Sequence, residues 1–180
     1  MRRILAGATL LGLGLMTSAA NAALAVGAKA PDFAVKAALG GKEFDFALAD
    51  ALKKGPVVLY FFPAAFTSGC TIEAHDFAEA TEKFTALGAT VIGVTAGNID
   101  RVDEFSVKEC RNKFAVAADP GQKVIKAYDV VLPIKPEYSN RTSYVIAPDS
   151  TILMEYTDLN PDQHVAKTMD AVKAWHDAHK

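Results

Sequence analysis

The sequence predicts one α/β domain of three layers with a mixed central sheet, and three observations carry that reading. Val57-Val58-Leu59-Tyr60-Phe61-Phe62 is apolar without alternation, the pattern of a strand covered on both faces. Behind it Phe77, Ala80, Phe84 and Leu87 recur at helical spacing, and a second apolar strand, Thr90 to Val94, follows. Near the C-terminus Thr142 to Ala147 and Thr151 to Tyr156 flank Pro148-Asp149-Ser150 as a hairpin. A crossover helix makes the first two strands parallel and the hairpin adds antiparallel pairs, so the sheet is mixed.

The elements follow in order once the first 22 residues are set aside. Met1-Arg2-Arg3 is basic, Ile4 to Met16 is an apolar run too short for a membrane span of about 20 residues, and Ala20-Asn21-Ala22 is a small-x-small cleavage signature. These are the parts of a secretory signal peptide over 1–22, which predicts an exported, periplasmic domain over 23–180. Asp32 to Val35 alternates as a half-buried strand, and Gly40-Gly41 turns it into Glu43 to Phe46, an N-terminal β-hairpin. Ala47 to Lys53 reads as a short helical turn ended by Gly55-Pro56. The 57–62 strand stops at Pro63, and a helix spans about 67–87 with Gly88 as its stop. After the 90–94 strand, Asp100 can cap a helix over 100–113 that carries Val102, Phe105 and, near its end, Cys110. A strand over 114–117, a turn at Asp119-Pro120-Gly121, a helix over 123–128, the 142–156 hairpin and an amphipathic helix over 163–179 complete the chain. That order is thioredoxin-like. Ligands of such sheets bind at loops leaving the carboxyl ends of parallel strands, where 63–70 lies.

Composition narrows the function. Removing Arg2 and Arg3 with the leader leaves 17 Lys+Arg against 21 Asp+Glu, about −4, with no basic stripe. Nucleic acid is disfavoured as a partner, and nothing supports membrane binding after leader cleavage. Two cysteines in an exported chain permit a structural disulfide. Joining Cys70 to Cys110 would close a loop of about 41 residues, worth on the order of 4 kcal/mol in the chain-entropy model.

The neighbours of Cys70 point elsewhere. A cysteine in the first turn of a helix meets free backbone N–H groups and the positive dipole end, which favour the nucleophilic thiolate. Thr67 brings a hydroxyl that can hold an oxygen atom beside the sulfur, and Gly69 allows close backbone approach. Each residue also has a plain structural reading: Pro63 as strand terminator, Thr67 as helix cap, Glu73 as a first-turn acid complementing the dipole, Arg141 as a surface arginine.

Taken together, Pro63-x-x-x-Thr67-x-x-Cys70 after an apolar strand is the motif of peroxiredoxins, and "FFPAAFTSGCTIEAHDF" resembles that family throughout. "PDF" at 31–33, "DPGQKVIKAYDV" at 119–130 and "RTSYVIAPDS" at 141–150 resemble family segments in the same order. The likeness is to the bacterioferritin-comigratory, PrxQ-like branch. The resemblance implies reduction of hydrogen peroxide and organic hydroperoxides without metal or haem, by a monomer that draws on thioredoxin or another thiol reductant. It implies Cys70 as the peroxidatic cysteine and Thr67, the N–H groups of Gly69 and Cys70, and Arg141 as donors to the peroxide. Pro63 would shield the sulfur, and Glu73 would orient Arg141.

Many members of the branch carry the resolving cysteine five residues after the peroxidatic one. That position here is His75, so the resemblance leaves Cys110 as the candidate resolving cysteine, with a one-cysteine mechanism as the alternative. Two other readings stay open: a thioredoxin-fold disulfide oxidoreductase, although Thr67 replaces the first cysteine of Cys-x-x-Cys, and a non-enzymatic binding domain stapled by Cys70–Cys110.

Overall fold

A computed structural model describes residues 23–180. The leader read over 1–22 lies outside the described residues. The chain runs β1 (Ala34–Leu39), β2 (Lys42–Ala47), α1 (Leu48–Leu52), β3 (Val57–Phe61), α2 (Ser68–Ala86), β4 (Thr90–Thr95), α3 (Val102–Lys108), β5 (Ala115–Ala118), α4 (Lys123–Ala127), β6 (Thr142–Ile146), β7 (Ile152–Thr157) and α5 (His164–Ala178). Short 3-10 turns at Ile99–Arg101 and Pro161–Gln163 lead into α3 and α5.

All seven strands form one mixed sheet in the order β2-β1-β5-β4-β3-β6-β7. The β3/β4 and β4/β5 pairs are parallel, and the remaining pairs are antiparallel. The unbroken apolar run of β3 is explained by its central place. Val58, Tyr60 and Phe62 enter a core with α2, α3 and α5, while Val57, Leu59 and Phe61 enter a second core with α1 and α4. The three layers and thioredoxin-like order are those expected. At the β1/β2 turn Gly40 and Gly41 have φ of +59° and +74°, the pair of positive values that a two-residue type I′ hairpin requires. Among the described residues, no helix is long and apolar enough to cross a membrane.

One expected element differs. The helix expected over 100–113 is a 3-10 turn followed by an α3 that ends at Lys108, and Asp100 lies within the turn instead of capping a helix. The chain leaves the helix because Arg111 and Asn112 take left-handed φ of +52° and +58°. Cys110 therefore sits just beyond the helix, its N–H donating to the Phe105 carbonyl at 3.0 Å.

Candidate active site

The site forms where β3 ends. Pro63 is half-buried, and its carbonyl accepts from Thr95 Oγ1 at 3.2 Å. Ala64 bridges to Gly97, where an added Cβ would stand 2.4 Å from the Pro63 carbonyl, so β4 and the 63–70 loop are locked backbone to backbone. Phe66 takes a left-handed φ of +63°, its ring edge-on to Phe105 of α3 at 5.2 Å and under the Arg101 guanidinium at 3.9 Å. Such a conformation in a bulky residue is costly and is held here by that packing.

Helix α2 then begins. Thr67 is exposed at the N-cap, and its hydroxyl donates to the Ala64 carbonyl at 3.2 Å without capping the helix. Gly69 and Cys70 fall in the first turn, where backbone N–H groups have no intrahelical acceptor. Cys70 is 1% exposed.

Arg141, just before β6, reaches across to this turn. It is 4% exposed, and its Nη2 lies 3.6 Å from Cys70 Sγ. Two further contacts orient the guanidinium: Nη1 donates to Glu73 Oε2, and Nε donates to the Leu159 carbonyl at 2.9 Å. Gly69 makes room for it, since a Cβ there would stand 3.0 Å from Nη2. Glu73 is wholly buried. Burial pushes its carboxyl up to about 8, against the opposing pull of the Arg141 charge.

Behind Glu73 is a layer that the helical spacing of apolar residues in α5 did not disclose. His164 is fully buried, with Nδ1 2.8 Å from Ser143 Oγ and Nε2 2.9 Å from the Asp158 carbonyl. Its neighbour Thr168 is equally buried and donates to the His164 carbonyl at 2.7 Å. The i, i+4, i+8 series His164, Thr168, Val172 marks this buried face; it shares Val172 with the apolar series Val165, Met169, Val172 and Trp175.

The second cysteine lies in the same core as the first. Cys110 and Cys70 pack in one cluster with Tyr60, Phe62, Phe77 and Phe105, and both are free thiols, so no Cys70–Cys110 staple is present. Cys110 is completely buried, and burial pushes its thiol far above the usual range. The hydroxyl of Tyr60 has no hydrogen-bond partner among the described residues, and burial raises it well above a normal phenol. His75, in place of a cysteine, pairs through Nε2 with Glu109 Oε2 at 2.8 Å, joining α2 to the segment that carries Cys110.

Fold and site together define a class: a thioredoxin-fold protein with one cysteine in the first turn of the helix after its central strand, faced by an arginine that immediately precedes the neighbouring antiparallel strand. The chain belongs to the AhpC/TSA family, whose model matches residues 26–154. It is similar to Peroxiredoxin Bcp of Bacillus subtilis (strain 168), 31% identical over 154 residues that cover 82% of this chain and 94% of that protein. Peroxiredoxin Q of Oryza sativa subsp. japonica is 32% identical over 123 residues, 68% of this chain. The match spans 54–66% of the length of the chloroplastic relatives. Peroxidoxin BcpB of Mycobacterium tuberculosis has a solved structure that superposes with a TM-score of 0.74 at 27% identity, covering 83% of this chain and 96% of that one.

Proposed function

We propose that the chain is a thiol peroxidase acting on hydrogen peroxide and organic hydroperoxides, with Cys70 as the attacking group. The observation that carries this reading is the Arg141 guanidinium at 3.6 Å from Cys70 Sγ, fixed by Glu73 and the Leu159 carbonyl. The guanidinium sets a cation and donor beside the attacking sulfur, where the bound peroxide must sit.

The thiolate attacks the oxygen of the peroxide that keeps its hydrogen. The O–O bond breaks, an S–O bond forms, and the departing oxygen takes a proton: thiolate, ROOH and H⁺ give Cys70 sulfenic acid and ROH. Negative charge spreads over both oxygens in the transition state. Arg141, the first-turn N–H groups and the Thr67 hydroxyl, once it turns from the Ala64 carbonyl, are donors set close to that charge. Pro63 narrows the approach to the sulfur.

Resolution follows when the Cys110 thiol attacks the sulfenic sulfur, forming the disulfide and releasing water. An external dithiol then reduces the disulfide to two thiols and is itself oxidised. The complete burial of Cys110 favours one second reading, in which an external thiol attacks the sulfenic acid directly. The leader signature supports a periplasmic enzyme supplied by a periplasmic thiol donor. The likeness to PrxQ-like proteins supports a monomer.

The test is peroxide consumption with a dithiol reductant by wild type, Cys70→Ser and Cys110→Ser. Cys70→Ser should abolish turnover, and Cys110→Ser should still consume one equivalent of peroxide. Activity that survives in Cys70→Ser would overturn the proposal. Full alkylation of Cys110 in peroxide-treated wild type, with no mixed disulfide, would leave the external-thiol route.

A further inference from the structure

The Arg141 guanidinium is held by Glu73 from α2 and by the Leu159 carbonyl from the segment between β7 and α5. Glu73 is wholly buried, but Asp158, Leu159 and Asn160 are exposed, so the second hold comes from a surface turn. Such a turn fixes a side chain only if something fixes the turn.

His164, the first residue of α5, is the buried group placed to do so. Its side chain is 0% exposed, and Nε2 lies 2.9 Å from the Asp158 carbonyl. A carbonyl only accepts, so Nε2 carries the ring hydrogen and donates it. Nδ1 of the neutral ring is then bare and accepts from Ser143 Oγ at 2.8 Å. Burial, the largest influence, lowers His164 to about 4, which keeps the ring neutral at pH 7 and both bonds in force. Glu73 Oε1, 3.6 Å from Nδ1, is beyond hydrogen-bond reach and takes no part.

Both partners of the ring belong to the backbone that carries and receives Arg141. Ser143 is two residues beyond Arg141 on β6, and the Asp158 N–H donates to the Arg141 carbonyl at 3.2 Å. The peptide whose carbonyl meets His164 is planar, so only the two soft dihedrals of Leu159 separate it from the carbonyl that receives Arg141 Nε. Within the turn, Asp158 Oδ1 accepts from the Asn160 N–H at 2.9 Å and Asn160 Oδ1 from the Asp162 N–H at 3.1 Å, which closes the segment leading back to His164.

We propose that His164 is a positioning residue for the peroxidase reaction: it ties Ser143 of β6 to the Asp158–Leu159 peptide and so sets the Leu159 carbonyl that aims the Arg141 guanidinium at Cys70 and the peroxide. It acts through Leu159 and Arg141. This inference rests on the peroxidase reading of the site.

The test exchanges the ring for side-chain amides in the full chain. Glutamine carries an amide N–H at about the reach of Nε2, so His164→Gln keeps the donor to Asp158, whereas the shorter asparagine of His164→Asn loses it. The second-order rate of Cys70 oxidation by hydrogen peroxide at pH 7 should fall about tenfold in His164→Asn and stay within about threefold of wild type in His164→Gln. Combined with Arg141→Lys, which removes the Nε that Leu159 holds, His164→Asn should cost less than about twofold more. The Arg141 Nε–H signal, protected from solvent exchange in wild type and His164→Gln, should lose its protection in His164→Asn. A His164→Asn rate equal to that of wild type or of His164→Gln, or a loss undiminished beside Arg141→Lys, overturns the proposal. Should a variant not fold, nitrogen spectroscopy of wild type decides: a hydrogen on Nε2 with a protected Arg141 Nε–H supports the proposal, and a hydrogen on Nδ1 or an unprotected Arg141 Nε–H overturns it. Failure of these outcomes in an enzyme whose Cys70 still reduces peroxide sinks only the role of His164, whereas a wild-type Cys70 inert to peroxide sinks the peroxidase reading itself.

Discussion

His75 Nε2 lies 2.8 Å from Glu109 Oε2, so the middle of α2 is joined to the residue that immediately precedes Cys110. Two more pairs continue along the same helix face: Glu79 with Arg111 at 3.2 Å and Glu82 with Lys113 at 2.8 Å. Residues 109–113, with their two left-handed positions, are thus laced to the helix that begins at Cys70. If Cys110 resolves the sulfenic acid, this lacing restrains the movement of its segment, and Cys110 starts fully buried.

Of the three, His75–Glu109 is the most buried, and a pair of that kind contributes about 0.2–1 kcal/mol. Glu109→Gln should therefore raise hydrogen exchange over 109–113 in the reduced protein and speed disulfide formation after a peroxide pulse by about twofold to fivefold. Oxidised wild type should show raised exchange over 68–78 and 104–114. Unchanged kinetics in Glu109→Gln would mean that apolar packing alone holds the segment.

Gly69→Ala separates stability from chemistry. Alanine suits a helix better than glycine by up to about 1 kcal/mol, so thermal stability should hold or rise. The added Cβ, 3.0 Å from Arg141 Nη2, presses on a guanidinium already fixed by Glu73 and Leu159. The second-order rate with peroxide should fall about tenfold, since small misplacements of a reacting group are expensive.

Arg141→Lys should lower kcat/KM for peroxide by about a hundredfold, the cost of losing one well-placed transition-state donor. A lysine ammonium cannot serve Glu73, the Leu159 carbonyl and Cys70 in the planar arrangement that Arg141 uses. Steady-state kinetics at saturating reductant measures this.

The pH dependence of stability follows from two buried groups. Glu73 is raised from 4.5 to about 8 on folding, so the folded state binds the proton more tightly. Its contribution is fully present below about 4.5 and is lost as pH rises through about 8. His164 runs the other way: lowered from 6.5 to about 4, it adds stability as pH rises from about 4 to 6.5. The two offset each other between about 4.5 and 6.5 and leave a decline from 6.5 to 8. Because His164 is common to both proteins, the difference in unfolding free energy between wild type and Glu73→Gln should fall with pH across the whole span from about 4.5 to about 8, by up to about 1.4 kcal/mol per pH unit. Urea titrations at stepped pH read it.

Cys110→Ser puts a hydroxyl into an apolar cluster and should destabilise by about 1–3 kcal/mol, whereas Cys110→Ala should cost less. Thermal melts should separate the two by a few degrees.

The architecture was legible because period and punctuation agree along the chain. Alternation or its absence marked the strands, and Gly40-Gly41, Pro63, Gly88 and Pro148-Asp149-Ser150 marked their ends. Helix α3 was overestimated at its end because nothing local forbids a helix through Glu109 to Lys113. At the left-handed turns of Arg111 and Asn112 the Asn112 N–H closes on the Ser106 carbonyl at 3.1 Å, and Arg111 pairs across to Glu79 of α2 at 3.2 Å.

The sequence by itself determined the domain class, the placing of Cys70 at a helix start, and the presence of Pro63, Thr67, Glu73 and Arg141 as its candidate company. The class and the helix start are matters of periodicity and of residues a few positions apart, whereas Glu73 and Arg141 entered through resemblance to the peroxiredoxin family. Only the tertiary structure decided that Arg141 meets Cys70 and Glu73 across 71 and 68 positions, and that His164 and Ser143 stand behind Glu73. It also decided that His75 holds the Cys110 segment. The physical reason is burial. A charged or polar group removed from water must find its partner among whatever the packed sheet and helices bring close, and that neighbourhood is set by the fold as a whole.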